Sequence, residues 1–151
     1  MTRALHTDFL RLPIAHRALH DVTDGRPENS RAAIRAAIAG GYGIEIDLQL
    51  SADGHAMVFH DYNLERLAKA RGPINVLTRE QAGATPLIGG DGEGIPDLAE
   101  VLDLVAGQVP LLIEIKDQDG QLGPDVGALE RAAVDVLQGY SGPLALMSFN
   151  P

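Results

Sequence analysis

The sequence predicts an α/β fold, a parallel sheet with helices packed outside it. Three observations lead there. Apolar strand-like runs alternate along the chain with helix-periodic ones. Runs such as LLIEI and PLALM are continuous rather than alternating, as strands covered on both faces are. Four successive strand-like runs also end in charged residues, at the carboxyl tips where such sheets keep their sites.

The elements follow in order. Residues 11–15, RLPIA, read as the first strand. NSRAAIRAAIAGG follows as a helix, with Ile34 and Ile38 on one face, Pro27 just before it and Gly40-Gly41 as the stop. Its cap is Asn29 or Ser30. Residues 42–50, YGIEIDLQL, form a second strand, ADG a turn, and residues 55–60, HAMVFH, a third strand. Residues 61–94 are polar and Gly-rich and read as an elaborated loop, in which GGDGEG is flexible and lacks the pattern of a phosphate-cradling loop. A helix over 95–107 has Pro96 near its first turn and Gly107 at its end. A fourth strand spans 110–116, a helix 126–140 and a fifth strand 143–149. Met57 and Met147 alternate into strand interiors and read as core. One join does not fit: residues 49–54 cannot hold a crossover helix. Either a hairpin through Asp53-Gly54 or a barrel lacking one helix accounts for it.

Composition limits the function. With 151 residues, 45% of them apolar, the chain can build one domain with a core. It has no transmembrane-length apolar run, and MTRALHTDFLRLP lacks a signal-peptide core. It has no cysteine, hence no disulfide or thiolate metal site, which fits a cytoplasmic location. A net charge of −9 argues against nucleic-acid binding, and makes an anionic substrate awkward unless a bound cation supplies positive charge.

The strand tips carry the chemistry. Strand one delivers His16 and Arg17, strand two Glu45 and Asp47, strand three His60 and Asp61, and strand four Glu114 and Lys116. A spacing of two points Glu45 and Asp47 to one side of their strand, and Glu114 and Lys116 to one side of theirs. So many ionisable groups on one interior face are costly unless they neutralise each other or hold a metal. Glu45, Asp47 and Glu114 suit a hard divalent cation, Mg²⁺ or Ca²⁺, rather than zinc. His16 and His60 suit a general acid and base, and Arg17 and Lys116 suit a phosphate. Singly, each feature also reads as an ordinary ion pair or a strand-end histidine. Their conjunction points to metal-assisted cleavage of a phosphodiester. His6, His20 and His55 receive no role. Ser148 and Asn150, at the end of strand five, face the same end.

His16-Arg17, Pro27-Glu28-Asn29-Ser30, Glu45-x-Asp47, the ADG turn with His60-Asp61, and Glu114-x-Lys116 together resemble the glycerophosphodiester phosphodiesterase family. The resemblance is collinear from about residue 13 to the end of the chain. It implies a distorted TIM (β/α) barrel lacking a helix between strands two and three, of which this chain holds about the first five strands. Residues 1–151 would then be a single catalytic-type domain, truncated on its C-terminal side, with 61–94 as an insertion-like loop. It implies hydrolysis of a small-molecule glycerophosphodiester to an alcohol and glycerol 3-phosphate with one divalent cation. His16 and His60 would be the acid–base pair, and Glu45, Asp47 and Glu114 the metal ligands. Arg17 and Lys116 would hold the phosphate, with Glu28 and Asn29 in support. The glycerol 2-hydroxyl would attack phosphorus, and water would open the resulting cyclic phosphate with the histidine roles reversed.

The sequence departs from the family at Ala18, where the usual residue is Gly and an unusual torsion is expected, and at Ser30, where it is Thr. Two rival readings remain. One is a phospholipase D-like or phosphatidylinositol-cleaving relative, disfavoured because 61–94 shows no lipid-facing patch and no stable membrane insertion is expected. The other is a non-catalytic half-barrel binding module, whose open edges would favour a homodimer.

Overall fold

The structure, a computed structural model, describes residues 4–151; the first three residues of the expected domain lie outside it. Five strands form one sheet: β1 (Ile14–Ala15), β2 (Gly43–Leu50), β3 (Ala56–Val58), β4 (Leu111–Ile115) and β5 (Leu144–Met147). The order is β1-β2-β4-β5, parallel throughout, with β3 antiparallel to β2. β1 pairs with the start of β2 at Gly43 and Ile44, and β3 with its end at Leu48–Leu50, so the two share one edge of β2. Both readings of the short join hold together: the chain returns through a hairpin at Asp53-Gly54, with Ser51 N–H donating to His55 O at 2.9 Å, and no helix lies between β2 and β3. The open sheet, parallel but for β3, is that of a partial β/α barrel.

The strands alternate cleanly. Ile44, Ile46 and Leu48 of β2, and Leu111, Ile113 and Ile115 of β4, face the helices. There they pack against α2 (Arg31–Gly40), α4 (Leu98–Val105) and α5 (Ala128–Leu137) in the main core. Ala33, Ile34 and Ala37 of α2, Val101 and Val105 of α4, and Leu129 and Ala133 of α5 supply the helical side. The opposite face of the sheet carries Glu45, Asp47, Gln49 and Glu114, all buried. α2 starts at Ser30, whose Oγ accepts from Ala33 N–H at 3.1 Å, and stops at Gly41 with φ +73°. Asn29 is therefore released from capping.

Three expectations need correction. The first strand is only Ile14–Ala15, because Asp8–Arg11 forms a helical turn, α1, and Pro13 has no N–H to pair. Met147 is only half-buried, since β5 is an edge strand with little packed over it, whereas Met57 is fully buried. Residues 61–94 are not one elaborated loop: they contain a 3₁₀ turn (Ile74–Val76) and α3 (Arg79–Gly83). They also close over a second core of Phe59, Leu64, Ala68, Ile74, Ala82, Leu87 and Ile95. Gly94 crosses so close to the Gly83 carbonyl that a Cβ there would overlap it. The GGDGEG stretch is anchored through Glu93, whose carboxylate accepts from Arg31 N–H at 2.6 Å and Ala32 N–H at 3.3 Å. A carboxylate at a helix N-terminus answers the exposed N–H groups and the positive end of the helix dipole.

Candidate active site

The polar face of β2 and β4 comes together at their carboxyl ends. Parallel pairing sets Asp47 opposite Glu114. Glu45, Asp47 and Glu114 offer carboxylate oxygens all within 4.8 Å of one another. Lys116 Nζ lies 2.8 Å from Glu114 Oε1 and 3.1 Å from Asp47 Oδ1. Burial resists the Lys116 charge, but its bond to Glu114 and the Asp47 charge outweigh that, so its pKa stands above the ordinary value. Three carboxylates against one ammonium leave a negative excess. Burial, then repulsion from Asp47, pushes Glu45 up to about 7, against a backbone hydrogen bond from Arg17. Asp47 Oδ1 is buried with no hydrogen-bond donor of suitable geometry. A buried, electron-rich, incompletely satisfied oxygen cluster fits a hard divalent cation.

The β1–α2 loop holds this cluster from beside it. Arg17 N–H donates to Glu45 Oε2 at 2.9 Å, and Ala18 N–H to Glu45 O at 3.0 Å. Asn29 grips Asp47 at both ends: its Nδ2 donates to Oδ2 at 3.0 Å, and its Oδ1 accepts from Asp47 N–H at 3.2 Å. Both contacts require a tightly turned backbone. Arg17, Ala18 and Asn29 lie in the left-handed region, at φ 57°, 63° and 58°. The torsion expected at position 18 is there, on a residue whose Cβ opposes it.

The histidines are held very differently. His60 Nδ1 is 2.7 Å from Asp61 Oδ1, and its Nε2 is 2.8 Å from Arg17 Nη2. A guanidinium can only donate, so Nε2 is the acceptor and Nδ1 carries the proton. The carbonyl of His60 also accepts from Gln49 Nε2 at 3.0 Å. His16 is mostly exposed, with Nε2 4.0 Å from Glu45 Oε2. Arg17 Nη1 donates to Glu28 Oε1 at 3.1 Å, and Arg17 Nε is buried without a partner. Burial opposes the Glu28 charge, but hydrogen bonds from Arg66 and the charges of Arg17 and Arg66 hold its pKa below the ordinary value.

A cleft of about 470 Å³ opens here, lined by His60, Tyr62, Glu114, Lys116, Leu122 and Phe149 among others. Asn150 does not enter the acidic cluster: its Nδ2 donates to Asp117 Oδ1 at 2.8 Å and Gly123 O at 3.0 Å, bracing the loop after β4. Sequence reasoning missed Gln49 and Arg66. Gln49 continues the Glu45–Asp47 alternation and could have been found from it. Arg66 sits in an irregular segment with no period to place it.

The sequence model of the glycerophosphoryl diester phosphodiesterase family matches residues 16–151. The chain belongs to that family. It is 36% identical over 115 residues to a glycerophosphodiester phosphodiesterase of Caldanaerobacter subterraneus, a match covering 72% of this chain and 46% of the relative. With glycerophosphodiester phosphodiesterase 1 of Bos taurus it shares 44% identity over 70 residues, 45% of this chain and 20% of that one. The chain thus spans about half the length of the first of these relatives, or less. Among solved structures it is similar to a phosphodiesterase from Oleispira antarctica in complex with the product sn-glycerol-3-phosphate. The TM-score is 0.80 at 29% identity, over 95% of this chain and 60% of that one. The glycerophosphodiester phosphodiesterase of Thermotoga maritima, at 24% identity and a TM-score of 0.71 over 99% of this chain and 56% of that one, shares the fold.

Proposed function

We propose that this chain carries the metal and acid–base machinery of a phosphoric diester hydrolase that cleaves glycerophosphodiesters to an alcohol and glycerol 3-phosphate. The observation that carries the reading is the gathering of His60, Arg17, Lys116 and three close carboxylates at one end of the sheet, in a chain of this family. The glycerol 3-phosphate complex of the Oleispira relative supports the substrate class. Residues 4–151 act in this reading as one unit, since the helices and the strands that carry the site share one core.

Glu45, Asp47 and Glu114 would hold a Mg²⁺ or Ca²⁺ ion. Such an ion supplies Lewis acidity and offsets negative charge on the phosphodiester. Lys116 and Arg17 offer an ammonium and a guanidinium to the non-bridging phosphate oxygens. His60 presents an unprotonated Nε2 and takes the proton of the attacking glycerol 2-hydroxyl, whose oxygen bonds to phosphorus. The bond from phosphorus to the alcohol oxygen breaks, and His16 acts as the general acid that gives that oxygen its proton. Water, giving a proton to His16, then attacks phosphorus, the bond to the glycerol 2-oxygen breaks, and His60 returns its proton to that oxygen, yielding glycerol 3-phosphate.

The test is release of glycerol 3-phosphate from glycerophosphodiesters differing in their alcohol. The expected result is turnover that a chelator abolishes and Mg²⁺ or Ca²⁺ restores. Turnover that survives both chelation and His16→Ala would overturn the reading. Faster cleavage of lysophospholipids than of deacylated diesters would favour the lipid-cleaving alternative.

A further inference from the structure

Five side chains close into a ring beside the acidic cluster. Arg17 donates to Glu28 at 3.1 Å and to His60 Nε2 at 2.8 Å. His60 Nδ1 donates to Asp61 Oδ1 at 2.7 Å. Arg66 joins the two free ends. Its Nε donates to Asp61 Oδ2 at 2.7 Å and its Nη2 to Asp61 Oδ1 at 2.6 Å. Its Nη1 and Nη2 donate to Glu28 Oε2 and Oε1 at 3.1 and 2.9 Å. Resting on the phosphodiesterase reading, we propose that Arg66 and Asp61 are positioning residues that hold His60 as its Nδ1–H tautomer, with Nε2 as the nitrogen that exchanges protons with substrate.

An exposed arginine beside carboxylates usually contributes little. Arg66 is half-exposed but forms two forked, charge-assisted pairs at once, a geometry a point-charge lysine cannot copy. Its backbone is also fixed. Leu64 and Ala68 on either side are buried in the second core, and Ala68 N–H donates to Leu64 O at 2.8 Å. The hydrogen bond from Arg66, followed by that from His60, holds Asp61 down at about 2, so it is an ionised acceptor at neutral pH. An ionised carboxylate on Nδ1–H fixes ring orientation and tautomer together. The 61–94 segment thereby reaches the proposed reaction centre without needing to touch substrate.

The decisive comparison is wild type against Arg66→Met, Asp61→Asn and each combined with His60→Ala. We expect Arg66→Met to lower kcat about tenfold to a hundredfold with KM within about twofold of wild type. In the His60→Ala background neither change should lower kcat further. Imidazole nitrogen NMR should show one His60 tautomer in wild type and a mixture in Arg66→Met. Unchanged kcat, a rise in KM alone, a loss that persists without His60, or an unaltered tautomer overturns the proposal. Wild-type protein that hydrolyses no glycerophosphodiester overturns the phosphodiesterase reading instead, and the nitrogen spectra then decide the ring by themselves.

Discussion

The two halves of the site solve opposite electrostatic problems. The ring of Arg17, Glu28, Arg66, Asp61 and neutral His60 balances two guanidinium groups against two carboxylates, and every carboxylate has at least two donors. The acidic half sets Glu45, Asp47 and Glu114, buried on strands, against Lys116 alone, which lies 3.1 Å from Asp47 Oδ1 without a well-aligned hydrogen bond to it. A balanced half can be rigid before anything binds. In the proposed reading, the unbalanced half awaits a cation, while the balanced ring is pre-organised.

The sharpest way to break this distinction is to remove a carboxylate. Asp47→Ala should reduce diester hydrolysis to background and abolish the calorimetric signal of Mg²⁺ or Ca²⁺ binding. His60→Ala should lower kcat by about 10²–10⁴-fold yet leave that calorimetric signal intact. A variant in the ring that also loses cation binding would show the two halves to be one.

Acid and base stability should separate the halves by sign. Glu45 moves from an ordinary 4.5 up to about 7, so the folded chain binds more protons than the unfolded one in that interval. Without a cation, its contribution to stability is present below pH 4.5 and is lost as pH rises toward 7. Glu45→Gln should therefore stabilise the cation-free protein at pH 8, roughly one unit above that value, where the Glu45 carboxyl is ionised. Asp61, held at about 2 against an ordinary 3.8, contributes stability above 3.8 that is lost as pH falls through 2. Thermal unfolding across pH, with and without Mg²⁺, checks both. The added cation should flatten the Glu45 limb and leave the acid limb where it is.

The smallest effect is expected at Ala18. Its φ of 63° costs roughly 1 kcal/mol for a residue with a Cβ. Glycine would relieve that, but lose a buried methyl worth about 0.8 kcal/mol and gain freedom in the unfolded chain. Ala18→Gly should shift the denaturation free energy by less than about 1 kcal/mol. A loss above about 2 kcal/mol would show that the methyl packs more tightly than its strain suggests.

What could be read from sequence tracks regularity. β2 and β4 carry strict alternation, so the apolar and acidic faces follow from a period of two, and the sequence alone brings Glu45, Asp47 and Glu114 to one end of the sheet. α2 is announced by Asn29 or Ser30 before it and Gly40-Gly41 after it, of which the structure uses Ser30 and Gly41. The first strand was overdrawn because RLPIA looks extended whether or not it pairs. The 61–94 segment reads as loop because its second core is assembled from residues with no common period. Arg66 belongs to that segment, and no local pattern ties it to His60. Contacts across an irregular segment depend on tertiary closure, which spacing alone does not encode.

The attachment of that segment has a practical consequence. Arg66 ties its early part to Glu28 in the β1–α2 loop, and Glu93 ties its late part to the start of α2. Between them Ile88, Gly89, Gly90, Asp91 and Gly92 lie exposed. A protease that nicks this tip would cut one covalent path yet leave both fragments docked, by separate anchors and a shared core. The nicked protein would keep its shape as two non-covalent pieces, and denaturant would then turn unfolding into dissociation.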